Sequence, residues 1–348
     1  MNTVNSFKGL KPVRKGFLLP LMFLLTLLSG FTIPIGVRGY LPIASVFFAL
    51  YVCVYCVSYN LKLSNKRFYE FILLIIILLI NGSPLTTTVL VIFNILTLFI
   101  LNPHIKRIYD QKDEALVFII VLLTICFAFF SLIVMPDSFL WSKYAPHEVE
   151  SKLIPVRLKL FFIEPSHLGI FSAIMYFLSK KTLSKFLFLT TLALTGSLLG
   201  LVFFLILKFK KYPLTLLIAF VVGLMVFISQ ALNNPALVFT NSGTVRLIGA
   251  IHLFNNLEPL KLFLGFGLGS GDQALLPIFK AIGVDQANGF IFSSIYDLGI
   301  GATVLFFKIF CVNIFDVLIL ILLLLNFGLG SFLLVVFLLM AKKINLLT

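Results

Sequence analysis

Long apolar runs are the feature that most constrains what this chain can fold into. Of its 348 residues, 60% are hydrophobic and 11% are charged, and the mean hydropathy is +1.13. A soluble domain has about 45–50% apolar residues, whereas several runs here approach the ~20 residues that a helix needs to cross a bilayer. The sequence therefore predicts an all-α, polytopic integral membrane protein.

Twelve apolar segments are predicted as transmembrane helices. They are 17–36, 40–59, 68–80, 85–101, 115–135, 166–179, 184–194, 197–207, 212–229, 289–308, 313–326 and 329–341. Several are shorter than ~17 residues and would have to tilt, extend into loops or re-enter. Breaks at 81–84 and 195–197 split longer apolar runs, and the backbone freed there needs protein or water to satisfy it.

The distribution of charge favours one topology. The net charge is +14, and the basic residues form short clusters between the spans, as the positive-inside rule requires, rather than a nucleic-acid-binding surface. If both breaks are hairpin turns, most of the 27 basic residues fall on one side. We therefore expect one membrane domain over residues 1–348, with about twelve spans, both termini in the cytoplasm, and two long outer loops at 136–165 and 230–288.

An arginine, a carboxylate, a hydroxyl and an imidazole stand together where the first outer loop meets the sixth span. They are Arg157, Glu164, Ser166 and His167. Ionisable groups at such a place in a membrane protein are costly and usually functional, and a guanidinium can bind a phosphate with two parallel hydrogen bonds. The plain alternatives are an arginine that snorkels to the interface and a glutamate that stabilises the start of a helix.

The second outer loop and the span after it carry further candidates. Arg246 and His252 are six residues apart, so on a helix they would lie close to one face. Gly265 and Gly267 belong to a glycine-rich stretch that has no βαβ unit around it, which argues against nucleotide binding and instead permits a close backbone approach to a ligand. Asp297 lies about two turns into the tenth span and needs a partner or a cavity there.

In their order and spacing, these motifs resemble those of the O-antigen polymerase and ligase family, the Wzy-type polysaccharide polymerases and their lipopolysaccharide-ligase relatives. The similarity covers roughly residues 155–301. It rests on Arg157 followed by the Glu-Pro-Ser start of a span, on the Thr-Gly-Ser break at 195–197, on Arg246 followed by the G-x-G loop, and on segment 288–301.

The resemblance implies a GT-C-like, inverting membrane glycosyltransferase in the bacterial inner membrane that uses no metal and no other cofactor. Its substrate would be an undecaprenyl-diphosphate-linked glycan within the membrane lipid. Its repeat units would be polymerised into O-antigen, as in lipopolysaccharide, or into capsule or another surface polysaccharide, at the periplasmic face. Arg157 and Arg246 would bind the diphosphate, and Ser166, Gly265 and Gly267 complete the substrate-binding set. A chain-length regulator protein is a further partner that such an activity allows.

Two departures from the family pattern favour polymerase over ligase. Ala287 stands where the ligases carry the histidine proposed as their base, and Asp297 replaces the family's glutamate before glycine. The candidates for the catalytic base remain Glu164, His167, His252, Asp272 and Asp297. An O-antigen ligase and a transporter or flippase of lipid-linked glycans are the alternative functions. Half-helix breaks suit a transporter, but a clear internal repeat is lacking and the two long loops suit capping of a substrate.

Overall fold

The structure is a computed structural model. It describes residues 32–35, 39–42, 67–80, 85–102, 112–134, 140–143, 156–160, 162, 164–233, 259–268, 270–281, 291–327 and 331–346. Within these ranges the chain is mostly helical, which confirms the helical class predicted from the sequence. Arg246, His252 and most of the first two predicted spans lie outside the described residues.

The described part of the chain contains twelve helices. They are α1 (Phe68–Ile80), α2 (Leu85–Leu101), α3 (Lys112–Val134), α4 (Pro165–Leu178), α5 (Thr182–Thr195), α6 (Leu198–Lys208), α7 (Pro213–Asn233), α8 (Pro259–Leu264), α9 (Ser270–Ala281), α10 (Ile291–Phe310), α11 (Ile314–Leu324) and α12 (Phe332–Leu346). Ten of them match predicted spans, and α1 and α2 have the predicted bounds. The other two, α8 and α9, lie within the predicted loop 230–288, so that segment is partly helical.

Local sequence accounts for several helix ends. Pro165 occupies the first turn of α4, where its missing N–H leaves no hydrogen bond unmade. Gly196 ends α5 in the left-handed conformation, at φ 54°, which glycine adopts without steric cost. Asn313 caps α11, because its side-chain oxygen accepts a 2.9 Å hydrogen bond from the Asp316 N–H.

Two short antiparallel strand pairs accompany the helices. Strand β1 (Thr32–Ile35) pairs with β2 (Gly39–Pro42), and β3 (Trp141–Lys143) pairs with β4 (Val156–Leu158). The prediction of helix was therefore wrong at 32–35 and at 40–42. β-branched residues favour strand in this stretch, and Pro34 cannot donate the backbone hydrogen bond of a helix interior.

One helix within the described residues is long and apolar enough to cross a membrane. It is the Glu114–Val134 part of α3, with 21 residues and a mean hydropathy of 3.1 over its most apolar window. Apolar helices of 10–17 residues include α1, α4, α5, α6 and α11. The count of about twelve spans and the GT-C-like architecture remain predictions.

The chain divides into two compact units. Unit 1 comprises Met1–Ser64, Ile100–Tyr144 and Ile154–Gly200, and unit 2 comprises Asn65–Phe99, Ala145–Leu153 and Leu201–Thr348. In unit 1, α4 packs along α5 and strand β4 lies against both helices. In unit 2, α10 contacts α1, α8, α9 and α11, and α11 packs on α12.

Candidate functional site

A short hairpin holds Arg157 in place. In the β3–β4 pair, Arg157 stands opposite Ser142, and the next residue of β4, Leu158, is fully buried. Trp141 anchors the same hairpin to α3, because its indole N–H donates a 2.9 Å hydrogen bond to the Ala128 carbonyl. The backbone that carries Arg157 is thus fixed by packing rather than left as an open loop.

The Arg157 side chain reaches the predicted break between α5 and α6. Its Nε–H donates a 3.0 Å hydrogen bond to the backbone carbonyl of Thr195, the last residue of α5. Carbonyls in the last turn of a helix lack partners inside the helix and carry partial negative charge, so a cation is favourable there. This contact fixes the guanidinium at the turn formed by Gly196.

The start of α4 carries the second part of the predicted motif. Glu164 occupies the N-cap position in an extended conformation. In the described first turn of α4, its side chain makes no capping hydrogen bond to the backbone. Instead, its Oε2 accepts a 3.1 Å hydrogen bond from the Ser166 hydroxyl, which orients the part-buried carboxylate. His167 is 6% exposed, so its imidazole lies in the packed interior of unit 1.

Two glycines bring the start of α4 against the α5–α6 turn. A Cβ on Gly200 would stand 2.9 Å from the Cα and the carbonyl carbon of Gly169. A Cβ on Gly169 would in turn stand 3.1 Å from the Ser197 Cβ and 3.2 Å from the Thr195 hydroxyl. Small residues allow such backbone contact between helices, and here they place α4 directly on the turn.

We call this part of unit 1 the arginine junction: Arg157, the start of α4 at Glu164–Ser166, and the turn at Thr195–Ser197. The sequence motifs that define it are separated by up to 40 residues in the chain. Contacts of Arg157 with Thr195 and of Gly169 with residues 195–200 bring them into one region. The junction thus brings a cation at the end of α5 towards a part-exposed carboxylate and a hydroxyl at the start of α4.

The second predicted set forms another close contact, in unit 2. The α8–α9 loop at Gly265–Gly267 lies directly on α10 where that helix is interrupted. A Cβ on Gly265 would stand 2.3 Å from the Asp297 carbonyl oxygen, and a Cβ on Gly299 would stand 2.3 Å from the Phe263 carbonyl oxygen. We call Gly265–Gly267 together with Tyr296–Gly299 the glycine junction.

The span that contains Asp297 was predicted as one continuous helix, and the structure corrects this. Gly299 has φ 75° and ψ 163°, a non-helical conformation inside α10 that is essentially restricted to glycine. Asp297 therefore stands just before a break. Its buried Oδ1 accepts a 2.7 Å hydrogen bond from the Gly271 N–H in the first turn of α9. The carboxylate has the partner that its depth requires, and it caps a helix.

The N–H groups of the G-x-G loop are also engaged. The Gly265 N–H donates to the Lys261 carbonyl at 2.7 Å, and the Gly267 N–H donates to the Asp297 carbonyl at 3.1 Å. Between them, the Phe266 N–H donates to the Tyr296 carbonyl at 3.1 Å. The predicted close approach of glycine backbone does occur here, but its partner is α10.

Three of the predicted site residues have side chains outside the described part of the chain. Arg246 and His252 lie outside the described residues, and Asp272 is in α9 with a side chain outside them. Sequence reasoning missed the Thr195 carbonyl as the partner of Arg157. It also missed the parallel stack of Phe266 on Tyr296, with ring centroids 4.2 Å apart. No local pattern could have paired positions that are 38 and 30 residues apart in the chain.

Within the ranges that the structure describes, no group of three His, Cys, Asp or Glu side chains is arranged to hold a metal ion. Comparisons of the chain with protein-family models, with curated proteins and with solved structures find no match.

Proposed function

We propose that this chain is an inverting membrane glycosyltransferase that polymerises undecaprenyl-diphosphate-linked repeat units into O-antigen or another surface polysaccharide. The observation that carries the proposal is the arginine junction. Arg157, a cation suited to a diphosphate, lies at the end of α5, and Glu164, a carboxylate suited to accept a proton, lies at the start of α4. The contact of Gly169 with Thr195 and Ser197 brings these two helix ends together. The resemblance of the same stretches to the O-antigen polymerase and ligase family supplies the reaction.

Exposed apolar side chains support placement in a membrane. Only 28% of the most apolar window of α3 is buried within the protein. Phe127, Phe130 and Ile133 are 54%, 62% and 84% exposed. A contiguous apolar surface of this kind is rare on soluble monomers and is what lipid chains would cover.

Contacts in unit 1 agree with the proposed topology. At one end of the α3–α5 group, Glu114 accepts hydrogen bonds from the backbone N–H groups of Lys180 and Lys181, at 3.1 and 3.0 Å. The positive-inside rule assigns this end to the cytoplasm. The hairpin, Arg157 and the 195–197 turn were all assigned to the opposite face, and Arg157 does contact Thr195.

Contacts in unit 2 agree with it as well. Four basic clusters, widely separated in sequence, were assigned to the cytoplasm. Arg67 Nη1 donates to the Lys308 and Ile309 carbonyls at 2.5 and 2.7 Å, and Lys342 donates to the Phe310 carbonyl. Lys210 donates to the Ile344 carbonyl at 2.8 Å, near the end of α12. These contacts support a topology that places the four clusters on one face.

The proposed reaction uses few protein groups. The acceptor hydroxyl oxygen attacks the anomeric carbon of the donor sugar, and the bond from that carbon to the diphosphate oxygen breaks with inversion. The electron pair leaves with undecaprenyl diphosphate, and its charge is stabilised by Arg157, with Arg246 as the second proposed cation. Glu164 is the proposed acceptor of the hydroxyl proton, since it is less buried than His167 and makes no cap.

Deletion of the gene tests the function. We expect the surface polysaccharide of the deletion strain, separated on a gel, to lack the long-chain ladder and to retain single repeat units on the lipid carrier or core. A ladder identical to that of the parent strain would contradict a polymerase. Loss of even the single capped unit would instead indicate a ligase.

A further inference from the structure

We infer that the glycine junction presents an aromatic platform, made of Phe266, Tyr296 and Lys261, that binds a pyranose ring of the glycan through its apolar face. The inference rests on the proposed function and adds a sugar subsite to it. Gly265 and Gly267 were predicted to bind substrate, and the inference moves that role to the side chain of Phe266, which lies between them.

The N–H groups of residues 265–267 all donate to backbone carbonyls of unit 2. They are therefore not the donors for a substrate. The Phe266 and Gly267 carbonyls accept hydrogen bonds from Ser270. The Phe266 side chain is only part-buried.

Phe266 and Tyr296 are parallel to within 3°, with centroids 4.2 Å apart, and Tyr296 is likewise part-buried. The hydrogen bond from the Phe266 N–H to the Tyr296 carbonyl ties the two backbones together. Because Gly265 and Gly299 lock the loop onto α10, the stack is rigid before any ligand arrives, which lowers the cost of binding.

The platform is chemically complementary to a sugar ring. The face of an aromatic ring carries partial negative charge, and the C–H groups on one face of a pyranose carry partial positive charge. Phe266 is stacked on Tyr296, and Lys261 Nζ lies over the Phe266 ring, 5.4 Å from its centroid, close enough for a cation–π interaction. The ring face that the platform offers to a sugar is therefore the outer face of Tyr296, with Phe266 stacked behind it. A lysine at this place also provides a donor for sugar hydroxyl oxygens or for an acidic substituent.

The surroundings place the platform where a lipid-linked glycan would begin. On α8, next to the platform, Leu260 and Phe263 are 69% and 59% exposed. Exposed apolar residues beside a tyrosine and a lysine are typical of the membrane–water interface. Sugars attached to a membrane-bound diphosphate emerge at that level.

The test measures glycan binding apart from diphosphate binding. The full chain is purified in detergent and titrated with oligosaccharides obtained from the host's surface polysaccharide by partial acid hydrolysis, with saturation-transfer NMR as the readout. These probes carry no diphosphate. We expect Phe266→Leu and Tyr296→Leu each to weaken binding about 3- to 10-fold, and Phe266→Tyr to retain it. Lys261→Gln should have a smaller effect.

Tyr212→Leu is the matched control, because Tyr212 is 63% exposed and lies between α6 and α7, on the proposed cytoplasmic face. Undecaprenyl diphosphate without sugar is the second probe, and its binding should be unchanged in the Phe266 and Tyr296 variants. Equal oligosaccharide binding by the wild type and both leucine variants would overturn the platform, as would no binding to the wild type at millimolar glycan.

The two proposals fail separately. If the deletion strain keeps its ladder while the leucine variants lose glycan binding, the polymerase proposal is wrong and the platform stands. If the ladder is lost on deletion but the leucine variants bind glycan normally, the polymerase proposal stands and the platform is wrong.

Discussion

Glu164 and Asp297 are both carboxylates beside a helix boundary, and both were candidates for the catalytic base, yet their surroundings differ. Glu164 is part-exposed at the start of α4 and accepts a hydrogen bond from the Ser166 hydroxyl of its own turn. Asp297 is 9% exposed and accepts a hydrogen bond from the Gly271 N–H of another helix. The first carboxylate is partly accessible at the surface of the fold, whereas the second connects two parts of the fold.

The same contrast extends to the two junctions as a whole. In the arginine junction, close packing at Gly169 and Gly200 positions charged groups that lie beside it. In the glycine junction, the polar backbone and the Asp297 side chain are used to hold α8, α9 and α10 together. Proximity of polar residues to a glycine motif therefore does not by itself identify a reactive group. The hydrogen-bond partners of each polar residue distinguish a structural role from a reactive one.

The largest effect is expected at the glycine junction. Gly299→Ala introduces a Cβ 2.3 Å from the Phe263 carbonyl oxygen, in a backbone conformation that only glycine adopts readily. We expect a loss of more than about 3 kcal/mol of stability, measured as low membrane abundance and a lowered melting temperature in detergent. Gly223→Ala is the control, since nothing lies within 4 Å of its Cβ. A Gly299→Ala protein that melts like the wild type would show that the junction is not tightly packed.

The next largest effect is expected from Glu164→Gln, which keeps the shape of the side chain and removes its charge. If Glu164 accepts the proton of the acceptor hydroxyl, polymerisation should fall by roughly 10²- to 10⁴-fold at an unchanged protein level. The polysaccharide ladder and an immunoblot of the membrane fraction measure the two quantities. Activity that survives largely intact would reduce Glu164 to a helix-start residue and break the contrast with Asp297.

A smaller loss is expected at Arg157. Removal of one contact to a charged group costs roughly 1.5–3 kcal/mol, so Arg157→Ala should lower polymerisation about 10- to 150-fold. Arg157→Lys should rescue it only in part, because lysine lacks the planar two-donor group.

Lys159→Ala is the matched control two residues away. If Arg246 binds the same diphosphate, Arg246→Ala should combine non-additively with Arg157→Ala. Full activity in both alanine variants, at normal protein abundance, would contradict the proposed diphosphate-binding site.

The smallest effect is expected from Asp297→Asn. The asparagine oxygen can still accept the hydrogen bond from the Gly271 N–H, so both stability and polymerisation should stay close to the wild type. Asp297→Ala removes the acceptor and should cost about 1–3 kcal/mol of stability, seen as a lowered melting temperature. An Asp297→Asn protein that is stable but inactive would mean that this carboxylate takes part in the chemistry.

Much of the helical framework follows from the sequence alone. The bounds of α1 and α2 are those of the apolar runs, and the break at 195–197 follows from Gly196, which stops α5. The length of an apolar run and the glycine or proline residues that end it are local properties. They act before any distant contact forms. The same local reasoning failed at 32–35 and 40–42, where cross-strand pairing gives a hairpin instead of helix ends.

The tertiary structure alone decided which polar groups meet. Arg157 binds the carbonyl of Thr195, 38 residues away, and Asp297 binds the N–H of Gly271, 26 residues away. The sequence supplied these residues as candidates with equal standing. Their separation into a part-exposed carboxylate and a buried capping one depends on the close approach of backbones at Gly169 with Gly200 and at Gly265 with Gly299. Such an approach is a property of packed helices, so no local pattern in the chain could have specified it.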